Sequence, residues 1–150
     1  MREKSLIVGV DGSEGSRAAV DEAIDLAGNL GATVTFVFVR RSPSWWLGDP
    51  YYERALSGDL VDARRAVAEA FETATTAGIE AYSEILEGDP ADELVSLADN
   101  RDADMIVVGS RGHGALAGAM LGSVSQSVSQ HANRTVVVAK QMLAPARQVA

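Results

Sequence analysis

The 150-residue chain contains no cysteine, which excludes disulfides, thiolate metal sites and a cysteine nucleophile. No apolar run approaches the roughly 20 residues that carry a helix across a bilayer. The N-terminal Met-Arg-Glu-Lys-Ser leads into only five apolar or small residues before Asp11, so neither a membrane span nor a secretory leader is expected, and the expected location is cytoplasmic. Acid is missing from the last third: residues 105–150 hold Arg111, Arg134, Lys140 and Arg147 and not one Asp or Glu, while the remainder holds all 21 acids against 9 bases. The net charge of −8 and pI near 4.7 argue against a nucleic-acid partner, which needs a dense basic face. The local excess of cations instead suits one small anion.

What is present alternates. Leu6-Ile-Val-Gly-Val10 is a short apolar run of the kind buried on both faces of a parallel sheet. Ser13 or Ser16 can cap the segment in which Ala19, Ala23, Ile24, Ala27 and Leu30 recur at helical spacing, with Gly28 and Gly31 as its stop. Thr33 to Val39 is β-branched and aromatic, a second strand. Residues 40–51 carry two prolines and both tryptophans and read as a loop. A long helix is expected from about Glu53 to Ala77, then a loosely alternating strand from Ile79 to Leu86. Asp89-Pro90 opens a third helix as N-cap and N1. Met105–Val108, a helix within 123–132 and Thr135–Ala139 complete a βαβαβαβαβ pattern. The expected fold class is α/β: a single-domain, doubly wound, five-stranded parallel sheet of order 3-2-1-4-5 with helices on both faces. The domain is expected to span residues 1–140, with 141–150 a C-terminal tail.

In such a sheet a ligand sits at the carboxyl ends of the strands where the order reverses. That crevice lies between the first strand, ending at Asp11, and the fourth, ending at Gly109. After the fourth strand come Gly109-Ser-Arg-Gly112, nine residues, and Gly122-Ser123, the start of a helix. Glycines let backbone N–H groups approach a ligand where a Cβ would block them. A helix N-terminus adds unpaired donors and partial positive charge. Together they make a phosphate cradle. No Lys-Ser/Thr follows at Walker A spacing, and no acid lies downstream of Gly112-x-Gly114 to hold a ribose as in a dinucleotide fold.

The spacing Gly-x2-Gly-x9-Gly-Ser resembles the ATP-binding pattern of the universal stress protein family. Val8-Gly-Val-Asp-Gly-Ser13, Ala103-Asp-Met-Ile-Val-Val-Gly-Ser-Arg-Gly-His113 and Gly122-Ser-Val-Ser125 through His131-Ala132 extend the resemblance over almost the whole chain. Thr135 departs from it, standing where the family usually has proline. The resemblance implies that Gly9, Val10 and Asp11 line the base and ribose region and that Val39 offers backbone contacts to adenine. It also implies that Val108 sits beside the base, and that Gly109, Arg111, Gly112, Gly122, Ser123, Val124 and Ser125 hold ribose and phosphates. It further implies a homodimer paired through the last strand, whose Val136, Val137 and Val138 edge would otherwise invite aggregation.

The expected ligand is ATP with Mg²⁺, since an acid beside a triphosphate is tolerable only if Asp11 binds a hydroxyl or the metal. Asp11 capping the first helix, Arg111 as a solvated arginine and an empty mobile glycine loop are the plainer alternatives. Ser123 and Ser125, opening a helix, are expected to cap it. Trp45 and Trp46 with Tyr51 and Tyr52 either cover the base or pack as an ordinary loop, and His113 lacks an orienting carboxylate nearby in sequence. The function expected is an ATP-binding regulatory homodimer in the stress response, acting on an unknown client protein, with at most weak ATP hydrolysis. Two alternatives stay open: a slow ATPase or nucleotidyl transferase-like enzyme, and a nucleotide-free interaction module. Replacing Gly109, Gly112 or Gly122 by a bulky acid is expected to abolish binding and leave the core sheet intact.

Overall fold

The structure is a computed structural model that describes residues 2–41, 51–111 and 121–140, without the side chains of 51–57. Its elements are β1 (Ser5–Gly9), α1 (Glu14–Leu30), β2 (Thr33–Arg40), α2 (Tyr51–Thr76), β3 (Ala81–Glu87), α3 (Pro90–Asn100), β4 (Met105–Gly109), α4 (Ser123–His131) and β5 (Thr135–Ala139). The five strands pair in the order β3-β2-β1-β4-β5, every pairing parallel. The α/β class and the strand order read from the sequence are thus observed. The expected tail and the Trp45-Trp46 loop lie outside the described residues.

Each strand splits its side chains between two cores because successive residues face opposite sides of a sheet. Leu6, Val8, Val34, Phe36 and Val107 face α1 and α2, where Ala19, Ala23, Ala27, Ala70 and Ala74 let the helices approach closely. Ile7, Val37, Ile106 and Val108 face α3 and α4, meeting Ala91, Leu94, Ala98 and Val128. Burial on both faces explains why β1 and β4 are continuous apolar runs rather than alternating ones.

Helices α1 and α3 begin at caps marked in the sequence, while α2 starts at Tyr51, two residues before the expected Glu53. Ser13 caps α1, its hydroxyl oxygen accepting from the Ser16 N–H at 3.2 Å, and Gly31 ends the helix in the left-handed region at φ 65°. Asp89 caps α3 ahead of Pro90. At the opposite end of the sheet from the crevice, two arginines clamp the chain. Arg134, just before β5, reaches Asp99, Asp102 and the Ala103 carbonyl at 2.7–3.2 Å. Arg2 bonds the Asp102 carbonyl and the Asp104 carboxylate, which also accepts the Ser5 N–H.

Candidate functional site

The reversal of strand order between β1 and β4 opens a cleft at the carboxyl ends of the strands, with a volume of about 890 Å³. Its wall includes Gly9, Val10, Asp11, Val39, Val108, Gly109, Arg111, Gly122, Ser123, Val124 and Ser125. The structure therefore brings together, from four separate stretches of chain, every sequence-predicted site residue except Gly112, which lies outside the described residues, as does His113.

The β1–α1 turn is held by its own side chains. The Asp11 Oδ1 accepts from the Ser13 N–H at 2.9 Å and from the Ser13 hydroxyl. The Asp11 N–H in turn donates to the Ser16 Oγ at 3.2 Å. This is the two-residue reach by which Asp mimics a backbone turn, and it fixes the carboxylate at the rim of the cleft. Gly12 turns the corner at φ 82°, a conformation that side-chain-bearing residues avoid.

The floor is apolar. Val10, Val37, Leu94 and Val108 are each at most 5% exposed and line the cleft. Above them β2 runs three residues further than β1, whose last residue Gly9 pairs with Val37. Val34 and Arg40 hydrogen-bond toward the β3 side, through Glu80 and Gly88, whereas the Val37 carbonyl accepts from Val10 on the β1 side. By that alternation Val39 turns its N–H and C=O toward β1, just where β1 leaves the sheet. A flat heteroaromatic ring laid on this floor would find a backbone donor and acceptor at its edge.

The opposite wall is the start of α4. Its N-cap is Gly122, with no side-chain cap bond and no acid in the first turn. The first intrahelical bond is Gln126 N–H to Gly122 O, so the N–H groups of Ser123, Val124 and Ser125 remain helix-terminal donors directed at the cleft. This departs from the expectation that Ser123 and Ser125 cap the helix. The Ser125 hydroxyl instead turns back to the carbonyls of Ser110 at 3.0 Å and Gly122 at 3.1 Å. A helix start with neither a side-chain cap nor an acid in its first turn is one that can take an anion. Arg111 stands exposed beside it.

Ser110 joins three elements through its own backbone N–H and carbonyl. Its N–H donates to the Ala139 carbonyl at the end of β5 at 2.8 Å, and its carbonyl accepts from Gly122 N–H at 2.6 Å as well as from Ser125.

Gly109 has a second reason to be glycine. A Cβ there would run into the backbone of Gly15, and one at Gly15 would fall on the Arg111 carbonyl oxygen. The first turn of α1 and the end of β4 cross in direct backbone contact. An acid at Gly109 would therefore drive α1 off the sheet, so the expectation that this substitution leaves the core intact does not hold for Gly109. Gly15 was not singled out from the sequence. Its signal is one of position only, the second residue of a helix capped by Ser13.

The α2 wall was also missed. Asp59, Asp62, Arg65, Ala66 and Glu69 line the cleft with Arg17, Arg40 and Arg41. Their spacing of three and four places them on one helical stripe, a signal legible beside the buried Ala63, Ala66 and Ala70. Three of these cations are paired: Arg17 with Glu69, Arg40 with Glu87 and Arg41 with Asp89. Among the described residues no group of three or more His, Asp or Glu side chains could hold a metal ion. A Mg²⁺ at Asp11 would draw its other ligands from phosphate oxygens and water, which is how that ion is commonly held.

A parallel doubly wound sheet with a ligand cleft at its switch point and an uncapped glycine-led helix start defines a class of α/β binding domain. Within that class the chain belongs to the universal stress protein family, whose model matches residues 3–140. It is 32% identical over 140 residues to a universal stress protein of Methanocaldococcus jannaschii, covering 91% of this chain and 82% of that one. Among solved structures, the universal stress protein UspA from Lactobacillus plantarum matches with a TM-score of 0.83 at 26% identity, over 93% of this chain and 99% of that one. A universal stress protein solved in complex with cAMP matches with a TM-score of 0.68 at 29% identity, over 95% of this chain and all of the other.

Proposed function

We propose that this chain binds an adenine nucleotide, ATP with Mg²⁺, and works as a nucleotide-dependent regulatory homodimer in the stress response. The observation that carries the reading is the convergence in one cleft of an apolar floor, the turned-out backbone of Val39, the Asp11 carboxylate and the uncapped start of α4. Base, ribose and phosphates each find matching chemistry in that order across the switch point. Asp11 would meet a ribose hydroxyl or the metal, and Arg111 with the α4 donors would meet phosphates. The cAMP complex of a 29% identical relative supports an adenine nucleotide as the ligand class. Binding, rather than a dedicated reaction, is the output: the nucleotide alters shape or assembly, and with it contact to a client protein in the cytoplasm.

Support for the dimer comes from β5. It is an edge strand of the sheet, and Val136, Val137 and Val138 are only half-buried. Pairing with a second copy would cover it.

Thermal unfolding with Mg-ATP, ADP, AMP and cyclic AMP tests the reading. Ligand at about 100 times its Kd should add about 2.7 kcal/mol, a rise of roughly 5–10 °C. No shift with any of the four at millimolar concentration would overturn it.

A further inference from the structure

We propose that the Ser125 hydroxyl serves nucleotide binding without touching the nucleotide: it staples the Ser110 carbonyl and so holds the α4 donors on the cleft. The proposal rests on the nucleotide reading above and assigns within it a positioning residue in place of a contact.

The argument is one of proton supply. An anionic phosphate oxygen needs a donor, and a serine hydroxyl has a single proton to give. The Ser125 Oγ lies 3.0 Å from the Ser110 carbonyl oxygen and 3.1 Å from that of Gly122. Both neighbours are acceptors only, so the proton is shared between them and none is left for a ligand. Burial agrees, since Ser125 is 2% exposed and ranks with the fully buried side chains of the protein. Only its backbone N–H is offered to the cleft. Ser123, two residues earlier, is exposed and has a hydroxyl proton to give.

The staple acts at a leveraged point. The chain leaves the sheet at Ser110 and returns at Gly122, and two bonds to one carbonyl oxygen close that span: Gly122 N–H at 2.6 Å and the Ser125 hydroxyl. The second bond comes from the first turn of α4 itself. It therefore sets where the helix start sits relative to β4, and with it the direction of the Ser123, Val124 and Ser125 N–H groups. Helix α4 has nine residues, of which Ser125 and Val128 are the buried ones. So short a helix has little else to fix its register.

The test compares Ser125→Ala, Ser125→Thr and Ser123→Ala with the unaltered protein. ATP and adenosine affinities are measured by calorimetry, and amide exchange at Gly122 is followed by NMR in nucleotide-free protein. Ser125→Ala should weaken ATP by roughly three- to tenfold, the worth of one hydrogen bond, with adenosine changed less than about twofold. It should also speed Gly122 exchange before any nucleotide is added, and Ser125→Thr, which keeps the hydroxyl, should restore both. Ser123→Ala should weaken ATP and leave Gly122 exchange unchanged. Weakened ATP binding with Gly122 exchange unaltered in Ser125→Ala would mean that the hydroxyl meets the ligand, and would overturn the proposal. So would ATP and adenosine weakened equally, the mark of general damage to the fold. If the alanine variant does not fold, Ser125→Cys, of similar volume and with a weaker donor, carries the same comparison. An unaltered protein that binds neither ligand overturns the nucleotide reading itself, and this proposal with it.

Discussion

The contact between Gly15 and Gly109 shows how a residue type can be required twice. The sequence pattern marks Gly109 as a glycine that lets a ligand approach the backbone, and the structure adds that α1 approaches it from the other side. Gly109→Ala is therefore expected to cost stability, about 1–3 kcal/mol for overpacking, in protein that has never met nucleotide; urea unfolding of the free protein checks this. Arg111 makes the contrasting case. It is exposed, and no described side chain pairs with it, so Arg111→Ala should leave unfolding unchanged. If the guanidinium bonds phosphate, the same substitution weakens ATP by about 1–3 kcal/mol and spares adenosine. What the sequence could not show at this scale was direction. Ser125 reads as a donor because it follows Gly-Ser-Val, and only the folded chain shows its proton turned inward to a carbonyl. Gly15 was equally silent, because its partner lies 94 residues away.

Secondary-structure elements were the most legible level, for a physical reason. β1 and β4 announce themselves as apolar runs, α1 by alanines at helical spacing, and α3 by Asp89-Pro90, all of them local signals. Element ends were less sharp: β1 runs Ser5–Gly9 rather than to Val10, and β3 starts at Ala81 rather than Ile79. Both shifts follow from ladder pairing with neighbours, which a single strand does not encode. The polar stripe of α2 on the cleft was missed because a charged helix face is ordinarily just a solvated one. The weak element is α4, whose place depends on Val128 packing into the second core, which also holds Leu94 and Val108. Val128→Ala is expected to cost about 2 kcal/mol of stability and to weaken ATP more than adenosine. Parallel unfolding and calorimetry measurements would show it.

At the scale of the whole molecule the charges divide the work. The crevice end carries mixed charge, with Arg111 and the start of α4 facing Asp11 and the acids of α2, and the far end is closed by Arg134 and Arg2 on Asp99, Asp102 and Asp104. Hydrogen bonding from Arg134, then the charges of Arg2 and Arg134, hold the Asp102 carboxyl below its ordinary value of 3.8. A lowered folded-state value means that the unfolded chain takes up the proton first. The contribution is thus complete above the ordinary value and is lost as pH falls through the lowered one. Asp102→Asn, which suits the left-handed backbone at φ 52°, should flatten the acid limb of the stability profile and leave nucleotide affinity at pH 7 unchanged. Thermal melts from pH 7 down to pH 3 would reveal the difference. The order 3-2-1-4-5, and with it the position of the cleft, was legible because handedness leaves few ways to wind five such units.

One residue, Ser110, is bonded through its N–H to the last residue of β5 and through its carbonyl to the start of α4. Whatever grips the edge strand and whatever fills the cleft thus pull on the same residue, through its two neighbouring peptide groups. Such sharing obeys reciprocity: if nucleotide tightens the pairing of two copies by some factor, pairing tightens nucleotide by the same factor. Affinity for ATP would then depend on how concentrated the protein is, falling on dilution past the point where copies separate. The cell's stock of the protein would become part of the signal it reads, and a titration repeated at two protein concentrations would measure how much.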